Sequence, residues 1–155
     1  MTTLDIGDTV PTFAAETNHG KLNSKDLLGK PFVLYFYPRD NTPGCTNEAK
    51  DFQANLNQFE KLNFKIIGVS RDSLASHEKF AAKYALTFPL IADTEASLCN
   101  LFDVIKDKKM YGRQVRGIER STFLFNASGK LVKQWRKVRV PGHVDAVLDA
   151  AKELT

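Results

Sequence analysis

A cysteine that stands where a buried strand turns into a helix is the feature that most constrains the fold of this chain. Residues 32–37, FVLYFY, form an unbroken apolar and aromatic run bounded by prolines. A short run of this kind between turn residues is typical of a strand buried on both faces of a sheet. After the polar loop of residues 38–44, Cys45 precedes residues 46–62, whose apolar positions recur at close to helical spacing. The sequence therefore predicts a strand, a turn that carries a thiol, and a helix, in that order.

Strands and helices alternate along most of the chain. Further strands are predicted at residues 65–70, 120–125 and 130–136, residues 88–90 lead into another short strand, and further helices are predicted at residues 73–84, 94–102 and 143–153. Residues 18–21 form the turn of a predicted N-terminal hairpin. Strands that alternate with helices and end in a hairpin indicate an α/β thioredoxin-like fold, with a central mixed β-sheet, helices on both faces and an N-terminal β-hairpin extension. The length of 155 residues suits a single domain over residues 1–155.

Composition excludes several classes of function. No run of eighteen apolar residues is present, and the N-terminus lacks a basic stretch followed by an apolar one. We therefore expect a cytoplasmic protein that contacts no membrane. The two cysteines lie 54 residues apart, which is neither a metal-binding pair nor a disulfide framework, and the three histidines share no ligand spacing with a cysteine or carboxylate. We expect no metal and no other cofactor.

Positive charge is concentrated in the C-terminal third. Residues 101–155 carry 12 lysines and arginines against six acidic residues, in a chain whose net charge is +4. The basic residues form two clusters, Lys106, Lys108, Lys109, Arg113 and Arg116, and Lys130, Lys133, Arg136, Lys137 and Arg139. A nucleic-acid surface is one interpretation, but no aromatic and basic nucleic-acid motif accompanies the clusters. We favour two solvated segments beside a redox site and expect no nucleic-acid partner.

The segment Thr42-Pro43-Gly44-Cys45 determines which chemistry the sulfur can perform. Thioredoxin-like redox proteins carry Cys-x-x-Cys at this turn, whereas a single sulfur cannot exchange dithiols across the motif. A helix N-terminus favours negative charge, and a thiolate there can attack a hydroperoxide and become a sulfenic acid. The Thr42 hydroxyl and nearby backbone N–H groups are candidate donors, and an arginine from elsewhere would complete the set. The alternative, a free cysteine packed as a small hydrophobe, fits poorly with so polar a loop.

Pro38, Thr42 and Cys45 match the Pro-x-x-x-Thr/Ser-x-x-Cys motif of the peroxiredoxins, and the chain resembles that family over essentially its whole length. The similarity to the bacterioferritin comigratory protein, or Q-type, subfamily is carried by residues 35–38, 41–49, 68–73, 88–93 and 117–123. The resemblance implies an antioxidant oxidoreductase, a thiol-dependent peroxidase that reduces hydrogen peroxide and organic hydroperoxides to water and alcohols through a sulfenic acid. It implies thioredoxin or another thiol as the reductant, and we expect a monomer or weak dimer.

The resemblance also assigns roles to individual residues. Cys45 corresponds to the peroxidatic nucleophile, and Thr42 corresponds to the threonine that binds the peroxide. Arg120 corresponds to the remote arginine that steadies the thiolate and the transition state. Pro38 resembles the proline that shields the sulfur from water.

Two further residues are assigned to the surroundings of the sulfur. Gly44 belongs to the loop whose backbone N–H groups, with that of Cys45, lie beside it. Glu48 is similar to a helix acid of the subfamily's active-site region. A purely structural role for Glu48, as an acid that favours the helix dipole from the first turn, is equally compatible with the sequence.

Reduction of the sulfenic acid depends on whether Cys99 can reach Cys45. Many subfamily members carry a resolving cysteine five residues after the peroxidatic one, where this chain has Lys50, or on the helix predicted at residues 73–84, which has no cysteine. Cys99 lies among apolar residues of the helix predicted at 94–102. It is either a packed core residue, which leaves a one-cysteine enzyme dependent on an external thiol, or a resolving cysteine that acts after two helices unfold. A peroxide-sensing protein without efficient turnover is the remaining alternative.

Overall fold

Nine strands and five helices make up the computed structural model of the protein, which describes residues 4–110 and 112–154. The strands are β1 (Ala14–Thr17), β2 (Gly20–Asn23), β3 (Phe32–Phe36), β4 (Lys65–Ser70), β5 (Leu90–Ala92), β6 (Ile105–Met110), β7 (Arg113–Ile118), β8 (Ser121–Phe125) and β9 (Leu131–Trp135). The helices are α1 (Pro43–Ala54), α2 (Leu56–Lys61), α3 (Leu74–Tyr84), α4 (Ser97–Leu101) and α5 (His143–Leu154), and a 3₁₀ turn spans Ser24–Leu27. Within these residues, no helix has the length and apolar character needed to cross a membrane.

Seven of the strands form one mixed sheet in the order β2-β1-β5-β4-β3-β8-β9. Strands β3, β4 and β5 run parallel to one another, whereas β8, β9 and the hairpin of β1 and β2 pair antiparallel with their neighbours. The predicted mixed sheet with an N-terminal hairpin is therefore confirmed. Strand β3 lies inside the sheet with partners on both sides, which accounts for its continuous apolar sequence.

Successive residues of β3 point to opposite faces of the sheet and belong to two separate hydrophobic cores. Val33 and Tyr35 contribute to the first core, which α1, α2, α3 and α5 cover. Phe32 and Leu34 contribute to the second core, which the short α4 covers together with segments outside helices. Each fully buried side chain of this kind contributes about 1.5–3 kcal/mol relative to exposure. Helices thus lie on both faces, as predicted, with four of the five on one face.

The sequence did not indicate the antiparallel hairpin of β6 and β7. Residues 112–116 are all exposed, so the ribbon shows no alternation of apolar and polar positions. Ile105 and Ile118 face each other at its base and pack against the second core. The first basic cluster therefore belongs to a two-stranded ribbon attached to the domain at one end.

Two predicted helices differ in the structure, one because it is divided and the other because it is shorter. The helix predicted over residues 46–62 is divided at Asn55 into α1 and α2, because the Asn55 side chain donates to the Asp51 carbonyl at 2.9 Å and its backbone leaves the helical region. The helix predicted at 94–102 is reduced to α4, since Ala96 has a left-handed φ of 62°.

Candidate active site

The sheet register brings two distant segments together at one edge. Strand β3 ends at Phe36, which pairs with Ser121, the first residue of the antiparallel strand β8. The chain that leaves β3 towards Cys45 therefore starts beside Arg120, the residue that enters β8. These two side chains are 75 residues apart in sequence, yet the register places them at the same edge of the sheet.

Cys45 occupies the first turn of α1. Thr42 is the N-cap residue with an extended backbone, Pro43 follows at the first helical position, and the first α-helical bond runs from the Thr46 N–H to the Thr42 carbonyl at 2.9 Å. The amides of Gly44 and Cys45 precede that bond and therefore have no partner within the helix. The sulfur thus lies at the positive end of α1. Cys45 is 1% exposed and packs within the first core.

Arg120 contacts both the sulfur and a buried acid. Its Nη2 donates to Cys45 Sγ at 3.4 Å, and its Nη1 donates to Glu48 Oε1 at 2.7 Å. A Cβ atom built on Gly44 would lie 3.2 Å from that Nη2. A larger residue at position 44 would therefore crowd the guanidinium, which gives Gly44 a steric reason for its place in the site.

Glu48 is a buried acid held by a single ion pair. Its side chain is fully buried, and burial raises its pKa to about 7 although Arg120 opposes the shift. Its Oε2 has no hydrogen-bond partner among the described residues, and His143 Nε2 lies 4.0 Å away.

His143 carries no charge that could balance Glu48. Burial, assisted by the charge of Arg120, lowers the pKa of His143 to about 4, and the Nε2 atom of His143 forms a hydrogen bond with the Thr122 hydroxyl at 2.7 Å. His143 is therefore neutral at pH 7, which leaves Arg120 as the cation that faces Glu48.

The Thr42 hydroxyl is oriented by the backbone of its own loop. Its Oγ1 donates to the Arg39 carbonyl at 2.9 Å, and no hydrogen bond joins it to the sulfur within the part of the chain that the structure describes. Because the proton is directed at a carbonyl, the oxygen faces a ligand as an acceptor. Pro38 is half-buried and lines a cavity beside this loop.

Cys99 lies in the second core, on the face of the sheet opposite to Cys45. The side chain of Asp93 accepts the N–H of Leu98 at 3.0 Å and that of Cys99 at 2.8 Å, so it holds the first turn of α4. Burial, together with a hydrogen bond to Asp93 and the charge of Asp93, strongly raises the pKa of the Cys99 thiol. Both cysteines are free. The structure does not bring the two sulfurs together.

The loop before Cys45 is fastened by a buried network that the sequence did not reveal. Asp40 accepts hydrogen bonds from Tyr37 Oη at 2.6 Å and Ser76 Oγ at 2.8 Å, and it pairs with His77 Nδ1 at 2.8 Å. The other ring nitrogen of His77 faces the Ile91 carbonyl at 2.9 Å. Both ring nitrogens of His77 therefore lie within hydrogen-bond distance of an oxygen atom. Burial alone would raise the pKa of Asp40, but the hydrogen bonds from His77 and Tyr37 outweigh it and lower that pKa.

Asp40, Asp72 and His77 are the group in the described residues whose ligand atoms lie close enough to hold a metal, within 4.8 Å of one another. The hydrogen bonds of this group fit an ion pair better. Both His77 nitrogens are engaged, and Asp72 Oδ2 accepts the Asp40 N–H at 2.9 Å and the Ser70 hydroxyl at 2.6 Å. A sequence separation of 37 residues between Asp40 and His77 leaves no motif by which the pair could have been found.

Comparison with known proteins gives matches over most of the chain. A family model described as the AhpC/TSA family matches residues 6–134. Peroxiredoxin Bcp of Xanthomonas campestris pv. campestris is 58% identical over 124 residues, which cover 80% of this chain and 78% of that protein. Peroxiredoxin Bcp of Bacillus subtilis is 46% identical over 154 residues, which cover 99% of this chain and 98% of that protein.

Solved structures agree with these relatives. Peroxiredoxin Q of Xanthomonas campestris superposes with a TM-score of 0.86 at 51% identity, over 91% of this chain and 90% of that one. A cysteine-to-serine mutant of PrxQ from Xylella fastidiosa has a TM-score of 0.93 at 44% identity, over 99% of this chain and 98% of that one. A further structure concerns the alkyl peroxide reduction activity of the Xanthomonas campestris bacterioferritin comigratory protein.

Proposed function

This chain belongs to the AhpC/TSA family and is a peroxiredoxin, a thiol-dependent peroxidase, and we propose that it acts through a sulfenic acid on Cys45. Its substrates are hydrogen peroxide and organic hydroperoxides, which it converts to water and alcohols. The single observation that supports Cys45 as the nucleophile is the guanidinium of Arg120, whose Nη2 lies 3.4 Å from the sulfur. A cation at this distance stabilises a thiolate, which is the reactive form.

In the first half of the cycle, the Cys45 thiolate attacks one oxygen of the hydroperoxide. The O–O bond breaks, the sulfur gains an S–O bond, and the departing alkoxide takes up a proton to leave as an alcohol or water. Thr42 Oγ1, an acceptor because its own proton is directed at a carbonyl, holds the hydroperoxide O–H. The free amides of Gly44 and Cys45, together with Arg120, stabilise the charge that develops on the two oxygens.

Glu48 has the role of positioning Arg120 for this step. The Glu48 carboxylate accepts a hydrogen bond from Arg120 Nη1 at 2.7 Å. This contact directs the other terminal nitrogen of Arg120, Nη2, towards the Cys45 sulfur. Gly44 leaves room for the guanidinium, and half-buried Pro38 limits the access of water to the site.

In the second half of the cycle, an external thiol reduces the sulfenic acid. Cys99 is fully buried on the opposite face of the sheet and carries a thiol with a strongly raised pKa, which supports its role as a core residue. A first thiol reacts with the sulfenic acid, forms a mixed disulfide with Cys45 and releases water. A second thiol attacks this mixed disulfide, which gives a disulfide of the two reductant thiols and regenerates the Cys45 thiol. Thioredoxin is one candidate reductant, and a small thiol is another.

Two basic residues of the C-terminal third are engaged by other parts of the fold. In the basic clusters, Lys106 pairs with Asp103 at 3.1 Å, and Arg136 donates to the carbonyls of Phe102 and Asp103. Because Lys106 and Arg136 already contact acceptors of this chain, their positive charges are less available to phosphate groups, which argues against a nucleic-acid surface. We propose a cytoplasmic monomer or weak dimer that binds no nucleic acid.

The test of this function combines turnover with intact mass. Cys45→Ser should reduce steady-state peroxide consumption, with either thioredoxin or dithiothreitol as reductant, to the background rate. A single equivalent of peroxide should add one oxygen to the wild-type mass. Retained peroxide consumption in Cys45→Ser would overturn the assignment, and a loss of two hydrogens would instead show a disulfide with Cys99. Rapid oxidation without turnover would favour a peroxide sensor.

A further inference from the structure

A cavity lies at the edge of the sheet where the parallel strands β3, β4 and β5 end. Its volume is about 420 Å³, within the range of small-molecule sites. Residues that follow each of the three strands line it, and the end of β7 closes it. The carboxyl ends of parallel strands are the usual location of ligand sites in open α/β sheets.

Three arginines converge on this cavity. Arg39 follows β3, Arg71 follows β4, and Arg116 belongs to β7. Arg116 pairs with Asp107 at 3.0 Å, so its charge is partly balanced. Arg39 and Arg71 are exposed and form no ion pair with a side chain in the described part of the chain. Positive charge therefore remains available to a ligand.

The one acid among the lining residues, Asp72, balances only one of these two charges. Its Oδ2 also accepts the Ser70 hydroxyl at 2.6 Å and the Asp40 N–H at 2.9 Å. Two unpaired arginines against one carboxylate leave the cavity cationic. A guanidinium binds carboxylates through a planar pair of N–H donors, so an anionic group of that shape suits the site.

The cavity is in direct contact with the loop that carries the reactive residues. Pro38 forms part of its wall, and the carbonyl of Arg39 accepts the Thr42 hydroxyl at 2.9 Å. A molecule anchored here by a carboxylate can extend its reactive end along the loop towards Cys45.

We propose that this arginine-lined cavity binds the carboxylate of a small co-reactant that reacts at Cys45. The inference rests on the proposed function and names the class of molecule that the site prefers. The carboxylate can belong to an organic hydroperoxide or to a thiol reductant. In the second case, Cys45–SOH and the carboxylated thiol give a mixed disulfide and water, and a second thiol then gives a free disulfide and the reduced enzyme.

The experiment measures the two half-reactions separately by stopped flow. The first arm compares sulfenate formation by a neutral alkyl hydroperoxide and by one of similar size that bears a carboxylate. The second arm compares sulfenate reduction by 2-mercaptoethanol and 3-mercaptopropionate. The readout in each arm is the ratio of the rate with the carboxylated reagent to the rate with the neutral one, so that intrinsic reactivity of the reagents cancels between variants.

Arg71→Gln should lower that ratio about 2- to 5-fold in one arm or both, as expected for an exposed ion pair, and Arg71→Glu should lower it further. Added salt should reduce the wild-type ratio towards that of Arg71→Gln. The matched control is Arg113→Gln, which makes the same charge change on β7 but about 10 Å from Arg116, the arginine of that strand that lines the cavity. The ratios for Arg113→Gln should equal those of the wild type.

The two arms identify the source of the carboxylate, since the arm in which the ratio falls contains the preferred reagent. Unchanged ratios in both arms would overturn the proposal. A fall in the rate with thioredoxin alone, with both small-molecule ratios unchanged, would also overturn it, because the arginines would then serve a protein partner. Wild-type turnover with hydrogen peroxide and a neutral thiol tests the proposed function independently of either result.

Discussion

Replacing Arg120 with methionine should make the stability of the protein fall steeply with pH, because it removes the charge that faces buried Glu48. In the wild type, burial raises the pKa of Glu48 from 4.5 to about 7 while Arg120 limits the rise. The folded chain therefore holds this proton more tightly than the unfolded chain. The stability that this preference contributes is fully present below pH 4.5 and is lost as the pH rises through about 7. The difference between the two pKa values corresponds to about 3 kcal/mol of unfolding free energy.

In Arg120→Met, the pKa of Glu48 should rise beyond the wild-type value, since the counter-charge at 2.7 Å is gone. The free energy of unfolding should then continue to fall above pH 7, by about 1.4 kcal/mol for each pH unit, whereas the wild type loses only about 0.4 kcal/mol more from this group. At pH 8.5 the variant should be about 1.5 kcal/mol less stable, relative to the wild type, than it is at pH 7.

The assay is urea unfolding followed by circular dichroism at pH 5.5, 7.0 and 8.5. All proteins should carry Cys45→Ser, so that ionisation of the sulfur does not contribute. The matched control is Glu48→Gln combined with Arg120→Met, which has no buried acid to titrate and should lose the added pH dependence. Parallel curves for Arg120→Met and the wild type would refute the reasoning, because they would mean that Arg120 does not determine the ionisation of Glu48.

Three further predictions concern other residues of the site and the second cysteine. Thr42→Val should slow sulfenate formation about 10²- to 10³-fold in stopped flow, whereas Thr42→Ser should retain most of the wild-type rate. If Thr42→Val forms the sulfenate as fast as Thr42→Ser, the Thr42 hydroxyl has no role in the reaction. Cys99→Ser should turn over at nearly the wild-type rate with thioredoxin and with dithiothreitol, and a collapse of the thioredoxin-linked rate would make Cys99 the resolving residue. Asp40→Ala should cost about 3–5 kcal/mol in urea unfolding at pH 7, because it leaves buried His77 unpaired. The pKa of Asp40 is lowered in the folded protein, so this loss should shrink as the pH falls below about 4, and a pH-independent loss would contradict the ion pair.

Much of the fold follows from local sequence. The apolar run at 32–37 identified a strand buried on both faces, and the polar loop before Cys45 placed the sulfur at the start of a helix. These features depend on side-chain periodicity and on the unpaired amides of a first helical turn, which are properties of contiguous residues. The hairpin of β6 and β7 escaped prediction because residues 113–116 of β7 are all exposed and the sequences of the two strands carry no apolar alternation.

The site itself needed contacts between residues that are distant in sequence. The sequence alone could not place Arg120 beside Cys45 except through family resemblance, since the pairing of Phe36 with Ser121 determines that meeting. The buried pair of Asp40 and His77 likewise arises where a loop and a helix pack together, without any spacing rule.

The position of Cys99 was likewise determined partly by local sequence and partly by tertiary structure. The apolar surroundings of Cys99 indicated burial, and Cys99 is fully buried. Which face of the sheet it occupies was decided by tertiary structure, because a strand directs alternate side chains to opposite faces and each helix packs on only one of them. The sequence by itself determined the local elements and the reactive motif. Strand register and helix packing decided which side chains share a site, since they act between segments that no local pattern connects.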